Sequence, residues 1–139
     1  MKKTILLSFL MSILLLGACK KETIATDNTP IVTNVADKTL FTATFEGNGH
    51  SVTGAAKIIE DTNKKQFLVI ENLQSDAGPD IRVYLATDKT AKDFIEISNK
   101  VVNGNSKIEL PATANLAKRK YVLIWCKQFS VLFGNALLK

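Results

Sequence analysis

The predicted fold depends above all on one stretch of the chain, Tyr121-Val-Leu-Ile-Trp-Cys-Lys-Gln-Phe-Ser-Val-Leu-Phe-Gly-Asn-Ala-Leu-Leu138. Residues 122–124 form an apolar run without a polar break, which is typical of a strand covered on both faces. Phe129, Val131 and Phe133 then recur at every second position, and this period predicts a second strand with one face on a core. The stretch therefore indicates two successive strands of a β-sheet.

The only tryptophan of the chain, Trp125, and the only cysteine beyond the N-terminal region, Cys126, lie between these two strands. If the first strand continues through them, their side chains point to opposite faces and Lys127 returns to the face of Trp125. One interpretation makes both residues core packing, because a cysteine in apolar surroundings has a raised pKa and behaves as a small hydrophobe. The other makes Cys126 a redox thiol held on a rigid scaffold.

Short alternating segments of the same kind recur between residues 41 and 110, separated by turn residues such as Gly47-Asn-Gly49 and Asn103-Gly-Asn105. No long segment has the 3.6-residue period of an amphipathic helix. We therefore predict an all-β fold, an antiparallel β-sandwich or flattened barrel of about seven or eight short strands. Gly54 and Ala56 share one side of a strand, and their small size predicts that another layer approaches closely there.

Residues 1–18 have the features of a lipoprotein signal peptide. Lys2 and Lys3 precede an apolar segment at residues 5–16, which is too short to span a bilayer because a span needs roughly 20 apolar residues. The following Leu16-Gly-Ala-Cys19 resembles the lipobox of bacterial lipoproteins. That resemblance implies cleavage before Cys19, a diacylglyceride on its sulfur and an acyl group such as palmitate on its amino group. The alternative is an ordinary signal peptide in which Cys19 is incidental.

Residues 19–38 are predicted to be a lipid-anchored flexible tether, since they are largely polar and lack a sustained apolar period. Residues 39–139 are then long enough for one domain with one core. Acylated Cys19 would hold this domain at membrane lipid. We therefore expect a membrane-anchored lipoprotein of the bacterial cell envelope that faces the periplasm or the cell surface.

The charge of the chain argues against one class of partner. The full chain has 18 Lys+Arg and 13 Asp+Glu, a net charge of +5, and loss of Lys2 and Lys3 with the signal peptide leaves 16 − 13 = +3. The lysines are scattered, and only Arg82 and Arg119 are arginines. We expect no nucleic-acid binding, because that function needs a basic patch or stripe.

The inventory of ligand residues predicts a domain with no cofactor and no metal. After residue 18 the chain has one histidine, His50, no methionine, and one cysteine that is not expected to carry lipid, Cys126. Haem with two protein ligands, blue copper and structural zinc each need more of these side chains. The loop aspartates show no EF-hand spacing, and we interpret them as solvated carboxylates; they are Asp76, Asp80, Asp88 and Asp93.

His50 and Asp80 each have a structural and a functional interpretation. We favour His50 as a strand-edge or turn residue over a ligand, and Asp80, which follows Gly78-Pro79, as the cap of a tight turn. No Gly-x-Ser-x-Gly motif is present to seat a serine nucleophile beside His50. We therefore do not expect the chain to be an enzyme on its own.

Several short motifs occur in one order along the domain. They are His50-Ser-Val-Thr-Gly54, Gly78-Pro-Asp80 followed by Tyr84-Leu85, Leu110-Pro111, Ile124-Trp-Cys126 and Val131-Leu-Phe-Gly-Asn-Ala136. This ordered set resembles the DM-thirteen domain, a small β-rich extracytoplasmic module, over essentially all of residues 40–139. The resemblance implies a role in electron transfer or redox chemistry centred on Cys126. In larger members the domain adjoins haem-binding modules and b-type cytochrome membrane segments.

Two classes of function follow for this chain. We expect no companion domain and no transmembrane span in it, so in the first class the partner of Cys126 is a separate redox protein of the envelope. His50, Asp80 and Trp125 are the candidate supporting residues of that site. In the second class the domain is a non-catalytic binding or structural module of the envelope, and Cys126 is packing.

Overall fold

The computed structural model describes Ile31 and residues 34–139. The expected signal peptide, the acylation of Cys19 and most of the expected tether lie outside these residues. The first strand begins at Lys38, one residue before the predicted start of the domain. The described part forms nine strands, which are β1 (Lys38–Thr44), β2 (Glu46–Gly47), β3 (Val52–Glu60), β4 (Gln66–Ser75), β5 (Ile81–Ala86), β6 (Phe94–Ser98), β7 (Gly104–Glu109), β8 (Tyr121–Cys126) and β9 (Val131–Leu137).

The strands form two antiparallel sheets packed face to face. Sheet A has the order β1-β3-β4-β7 and sheet B the order β2-β9-β8-β5-β6. The prediction of an all-β antiparallel fold is confirmed. Of the two predicted forms the structure has the β-sandwich, because the sheets do not close into a barrel. The described residues include no α-helix, and accordingly no helix long and apolar enough to cross a membrane.

One apolar core lies between the two sheets. Alternate residues of each strand point into it, because successive side chains of a strand point to opposite faces. Sheet B contributes Val122, Ile124 and Cys126 to this core, and sheet A contributes Ile58 and Leu68. Residues 122–124 are all fully buried, which confirms that this strand is covered on both faces.

A second, smaller apolar cluster covers the outer face of sheet B. Leu123 points into it rather than into the main core, and Tyr84, Ala86 and Leu132 are the other buried members. Three partly buried side chains pack against these four residues; they are Ala91, Tyr121 and Trp125. The outer cluster explains why β8 has no polar position in its centre.

The predicted place of Phe129 on the core face of a strand is wrong. The chain turns at residues 127–130, where Ser130 has a positive φ of 54° and donates its N–H to the Lys127 carbonyl oxygen at 3.4 Å. Strand β9 begins only at Val131, so Phe129 lies outside the sheet and is 63 % exposed. Phe133 lies in the core as predicted. The period of two in the sequence continues through this turn, so the alternation of apolar residues does not show where the strand begins.

The close approach predicted at Gly54 is present, but it comes from within one sheet. Gly54 has a φ of 121° at an irregularity in the pairing of β3 with β4, and a Cβ there would lie 2.8 Å from the Glu71 carbonyl oxygen. The two layers do meet closely at Gly134 of sheet B. A Cβ at that position would lie 2.6 Å from the Cβ of Val52 in sheet A.

Candidate functional site

Cys126 lies at one end of the sandwich, which we call the Cys126 end. Three strands of sheet B meet there, with Cys126 of β8 paired to Ile81 of β5 on one side and to Val131 of β9 on the other. Four connections lie at this end, because the strands they join start or stop there; they cover residues 48–51, 76–80, 99–103 and 127–130. The end is therefore the part of the molecule where loops surround the candidate thiol.

The Cys126 side chain points into the main core and is fully buried. Trp125 belongs to the outer cluster, so the two side chains lie on opposite faces as predicted. Within the described part of the chain, the Cys126 sulfur is free of any disulfide and makes no hydrogen bond. No charged side chain of the described residues pairs with this sulfur.

Trp125 is one of three aromatic rings in a row on the outer face of sheet B. Its ring centroid lies 6.3 Å from that of Tyr84, whose other side stacks on Phe94 at 4.1 Å. Burial raises the pKa of the Tyr84 hydroxyl above its ordinary value. Trp125 is half-buried and Phe94 is 40 % exposed, so the row reaches solvent. The row of rings therefore extends from Trp125, the residue next to Cys126 in the chain, to the protein surface.

His50 forms part of the wall of the Cys126 end. Its ring stacks on that of Phe133 with the centroids 3.6 Å apart and an angle of 10° between the planes. The Nδ1 atom lies 3.5 Å from Oδ2 of Asp76, and the same oxygen accepts the backbone N–H of Ser51 at 2.8 Å. These contacts place His50 in the loop after β2, where it packs on a core ring, in agreement with the favoured turn assignment.

Gly78 packs so closely against Ile81 and Phe133 that a side chain has no room there. A Cβ there would lie 2.5 Å from Cδ1 of Ile81 and 3.1 Å from Cζ of Phe133. Ile81 is also the β5 residue paired with Cys126. A cavity of about 480 Å³ opens beside Ile81, between the 76–80 and 99–103 loops. Gly78 and Ile81 thus line this cavity, and Phe133 joins them to the ring of His50.

Asp80 binds Arg82 instead of capping its own turn with its side chain. Its Oδ1 accepts Nε–H of Arg82 at 2.7 Å, and its backbone oxygen accepts the N–H of Lys127 at 2.9 Å. The hydrogen bond from Arg82 lowers the pKa of the Asp80 carboxyl below its ordinary value. Arg82 also donates Nη1–H to Glu96 at 2.7 Å, and Lys127 Nζ lies 3.8 Å from that carboxylate. This network fixes the start of β5 to the turn after Cys126.

The structure places the predicted site residues at the same end of the sandwich, but their side chains do not meet in a single site. Cys126 lies inside the sandwich, Trp125 lies on the outer face, and Asp80 and His50 lie in two different loops. Among the described residues, no three His, Cys, Asp or Glu side chains come together as metal ligands. Sequence reasoning missed the ring of Phe133 beneath His50, although Phe133 belongs to one of the ordered motifs.

Comparisons with known proteins identify the family of the chain. Residues 44–138 match the family described as Electron transfer DM13, and they are more than half of the 139-residue chain. No curated protein matches the chain, and no solved structure matches it either. The match includes the loops of the Cys126 end, β8 and nearly all of the two sheets. The chain therefore belongs to the electron transfer DM13 family.

Proposed function

We propose that this chain is a lipid-anchored redox accessory of the bacterial envelope, which exchanges electrons with a separate envelope protein through the thiol of Cys126. The observation that carries the proposal is the position of Cys126. It is the one unpaired thiol of the described domain, and it ends a strand at the loop-rich end of a domain whose family is described by electron transfer.

The burial of Cys126 means that its reaction needs an opening of the Cys126 end. The thiolate is the reactive form of a cysteine, and a fully buried thiol without a charged partner is inert. Of the two residues paired with Cys126, Ile81 is partly buried and Val131 is exposed. Strand ends open locally at a lower free-energy cost than the whole domain unfolds. Fraying of β5 and β9 at these positions would expose the sulfur.

The chemistry we propose for the opened form is thiol–disulfide exchange. The Cys126 thiolate attacks one sulfur of a disulfide in the partner protein, the partner disulfide breaks, and the displaced thiolate takes a proton from water. A mixed disulfide between the two proteins results. A thiolate of a second envelope protein then attacks the partner's sulfur in the mixed disulfide, and Cys126 leaves as a thiolate that takes a proton from water, so the electrons come from that second thiol. The exchange needs only one cysteine in this domain.

A second candidate function is a non-catalytic binding or structural module in which Cys126 only packs. The observation that favours it is the complete burial of the side chain in a core of seventeen buried residues. In that case Cys126 would be exposed only when the domain unfolds. The two candidates therefore differ in how much of the structure must open before the sulfur reacts.

Alkylation of the native protein at increasing urea concentration measures the size of that opening. For the redox function we expect a rate that rises with urea by less than about half of the equilibrium m-value, because a local opening exposes less surface than global unfolding. Ile81→Ala should increase the native rate further, while the matched change Ile97→Ala should not. Cys126→Ala gives the background from any other thiol. A urea dependence equal to the equilibrium m-value would favour the packing function.

Trapping of partners tests the exchange chemistry itself. Envelope proteins from cells that express the chain should contain a mixed disulfide that is retained without reductant and is lost in Cys126→Ala. The variant must be compared at equal folded abundance, because loss of one buried sulfur also lowers stability by about 1–3 kcal/mol. If no adduct forms although native Cys126 is alkylated through a local opening, exchange with an envelope protein is wrong.

The lipid anchor is a separate part of the proposal and rests on the lipobox resemblance of residues 16–19. Mass spectrometry of the native protein should find a mature N-terminus at Cys19 that carries acyl chains. Cys19→Ser should leave the precursor uncleaved, since the modified sulfur is what marks the processing site. A soluble wild-type form that starts at another residue would refute the membrane-anchored location.

A further inference from the structure

Strands β1 and β2 both lie along β9 in one continuous antiparallel register. One pair of residues that this register predicts to be hydrogen-bonded is not bonded. Thr42 and Lys139 exchange both backbone hydrogen bonds, at 3.1 and 3.0 Å, and Glu46 pairs with Asn135. Both pairs have the same sum of residue numbers, 42 + 139 = 46 + 135 = 181. In an antiparallel ladder the intermediate pair with that sum, Thr44 and Leu137, would also be bonded. Neither residue forms that bond in the described structure.

Because this pair is not formed, backbone N–H and C=O groups are available for hydrogen bonds in a groove between the strands. Residues at alternate positions of a strand direct their N–H and C=O toward the same neighbour. Thr44 and Leu137 therefore direct one donor and one acceptor each toward the gap. The groove has a volume of about 560 Å³, within the roughly 300–1,000 Å³ of small-molecule sites. Tyr121 lines it from the end of β8 opposite to Cys126, so the groove is separate from the Cys126 end.

Asn135 lines this groove with a carboxamide that has no hydrogen-bond partner among the described residues and whose polar atoms reach solvent. The residue is 4 % exposed and is the one buried polar residue of the described chain. Its side chain makes no hydrogen bond to any described residue. Because its polar atoms are not sealed from solvent, a molecule in the groove can reach a group that offers two donors and accepts two hydrogen bonds. A carboxamide held in this way at the base of a groove is suited to a ligand that supplies the missing partners.

The charges of the groove favour a neutral ligand. Lys57 and Glu71 lie in its wall, but they bind one another at 2.7 Å. The three remaining charged side chains of the lining have both signs; they are Glu46, Lys89 and Lys139. An anion or a cation would meet repulsion as well as attraction here. Thr42 and Thr44 supply hydroxyl groups to the lining, and Tyr121 supplies a half-buried ring.

We propose that this groove binds a neutral saccharide through Asn135. Adjacent hydroxyls of a sugar can donate to Oδ1 and accept from Nδ2 of one carboxamide at the same time. The open backbone groups of Thr44 and Leu137 offer further hydrogen bonds, and the Tyr121 ring offers an apolar surface for a sugar face. An extended peptide fits less well, because the bonded pairs at both ends of the gap prevent a strand from passing through it. The proposal does not depend on the redox function of Cys126.

Calorimetric titration of the full chain tests the site, in a polyoxyethylene detergent so that no sugar head group competes. The probes are maltose, cellobiose, lactose and chitobiose, with tetraglycine and inorganic phosphate for comparison. We expect at least one disaccharide to bind. Asn135→Leu should weaken its binding about tenfold, since two hydrogen bonds are lost. The Tm should not fall, because the carboxamide has no hydrogen-bond partner to lose among the residues that the structure describes.

Two further variants keep the test decisive. Thr44→Val lies at an exposed position and should weaken the same disaccharide about fivefold through loss of one hydrogen bond, even if Asn135→Leu does not fold. Asn99→Ala, in the loop of the cavity at the Cys126 end, should bind as the wild type does. The proposal is overturned if no disaccharide binds, or if the Asn135 and Thr44 variants bind unchanged. Binding of tetraglycine or phosphate alone would instead assign the groove to a peptide or an anion.

Discussion

Gly78 and Ile81 form a tight contact whose removal tests the packing above Cys126. A Cβ at residue 78 would lie 2.5 Å from Cδ1 and 3.0 Å from Cγ1 of Ile81, and 3.1 Å from Cζ of Phe133. These distances are shorter than the roughly 3.5–4.0 Å of optimal carbon contacts. Gly78→Ala must therefore displace Ile81 from the position it takes beside Cys126.

The size of the effect follows from two opposing contributions. Overpacking of this kind typically costs about 1–3 kcal/mol. Alanine also reduces the entropy of the unfolded chain, which offsets about 0.4–1 kcal/mol of that cost. We expect Gly78→Ala to lower the free energy of unfolding by about 1–2 kcal/mol. Ile81→Val alone should lower it by about 0.5–1.5 kcal/mol, because it removes one buried methyl group.

The double variant decides whether the contact is responsible. Ile81→Val deletes Cδ1, the atom nearest to the new Cβ, so the two changes together should cost less than their sum by about 1 kcal/mol. Urea unfolding followed by the fluorescence of Trp125 gives each free energy and shows whether the m-value stays constant. Gly78→Ala combined with Ile97→Val, at another partly buried isoleucine, should be additive within about 0.5 kcal/mol. Additivity of Gly78→Ala with Ile81→Val would refute the packing argument, since Ile81 would then move into the adjacent cavity at no cost.

Three further substitutions test other parts of the structure. Phe133→Ala should lower the free energy of unfolding by about 3–5 kcal/mol because the ring is buried, and a loss under about 1 kcal/mol by urea unfolding would contradict that burial. Trp125→Ala should cost only about 1–3 kcal/mol, since its side chain is only partly buried, and a loss equal to that of Phe133→Ala would show a deeper position. Hydrogen bonds from Lys118 and Arg119 lower the pKa of Asp93. Its contribution to stability is therefore present above the unfolded pKa of about 3.9 and is lost as the pH falls through the lower folded pKa. Asp93→Asn should flatten the dependence of the unfolding free energy on pH in that acidic window, and an unchanged slope would be evidence against the ion pairs.

The candidate site shows which parts of a site local sequence can indicate. Cys126 and Trp125 are the only residues of their types in the domain, so composition alone directed attention to them. The opposite faces of these two side chains followed from the alternation of a strand. The stack of His50 on Phe133 and the binding of Asp80 by Arg82 could not be predicted, because they depend on how two loops come to lie at the same end. The position of Asn135 in a groove could not be predicted either, since the groove is formed by strands that are far apart in the sequence.

The sequence by itself determined the fold class, most of the strands and the family, because a period of two, turn residues and ordered motifs are properties of neighbouring residues. The prediction for Phe129 was wrong for the same reason, because it relied on neighbouring residues alone. The alternation continues through a turn that only the positive φ of Ser130 reveals. The tertiary structure decided that Cys126 is fully buried and that a groove opens beside Asn135. Both depend on which strands pair and in which register. Such pairings join residues far apart in the chain, as Thr42 and Lys139 are, and the free energy that selects them comes from packing the whole domain.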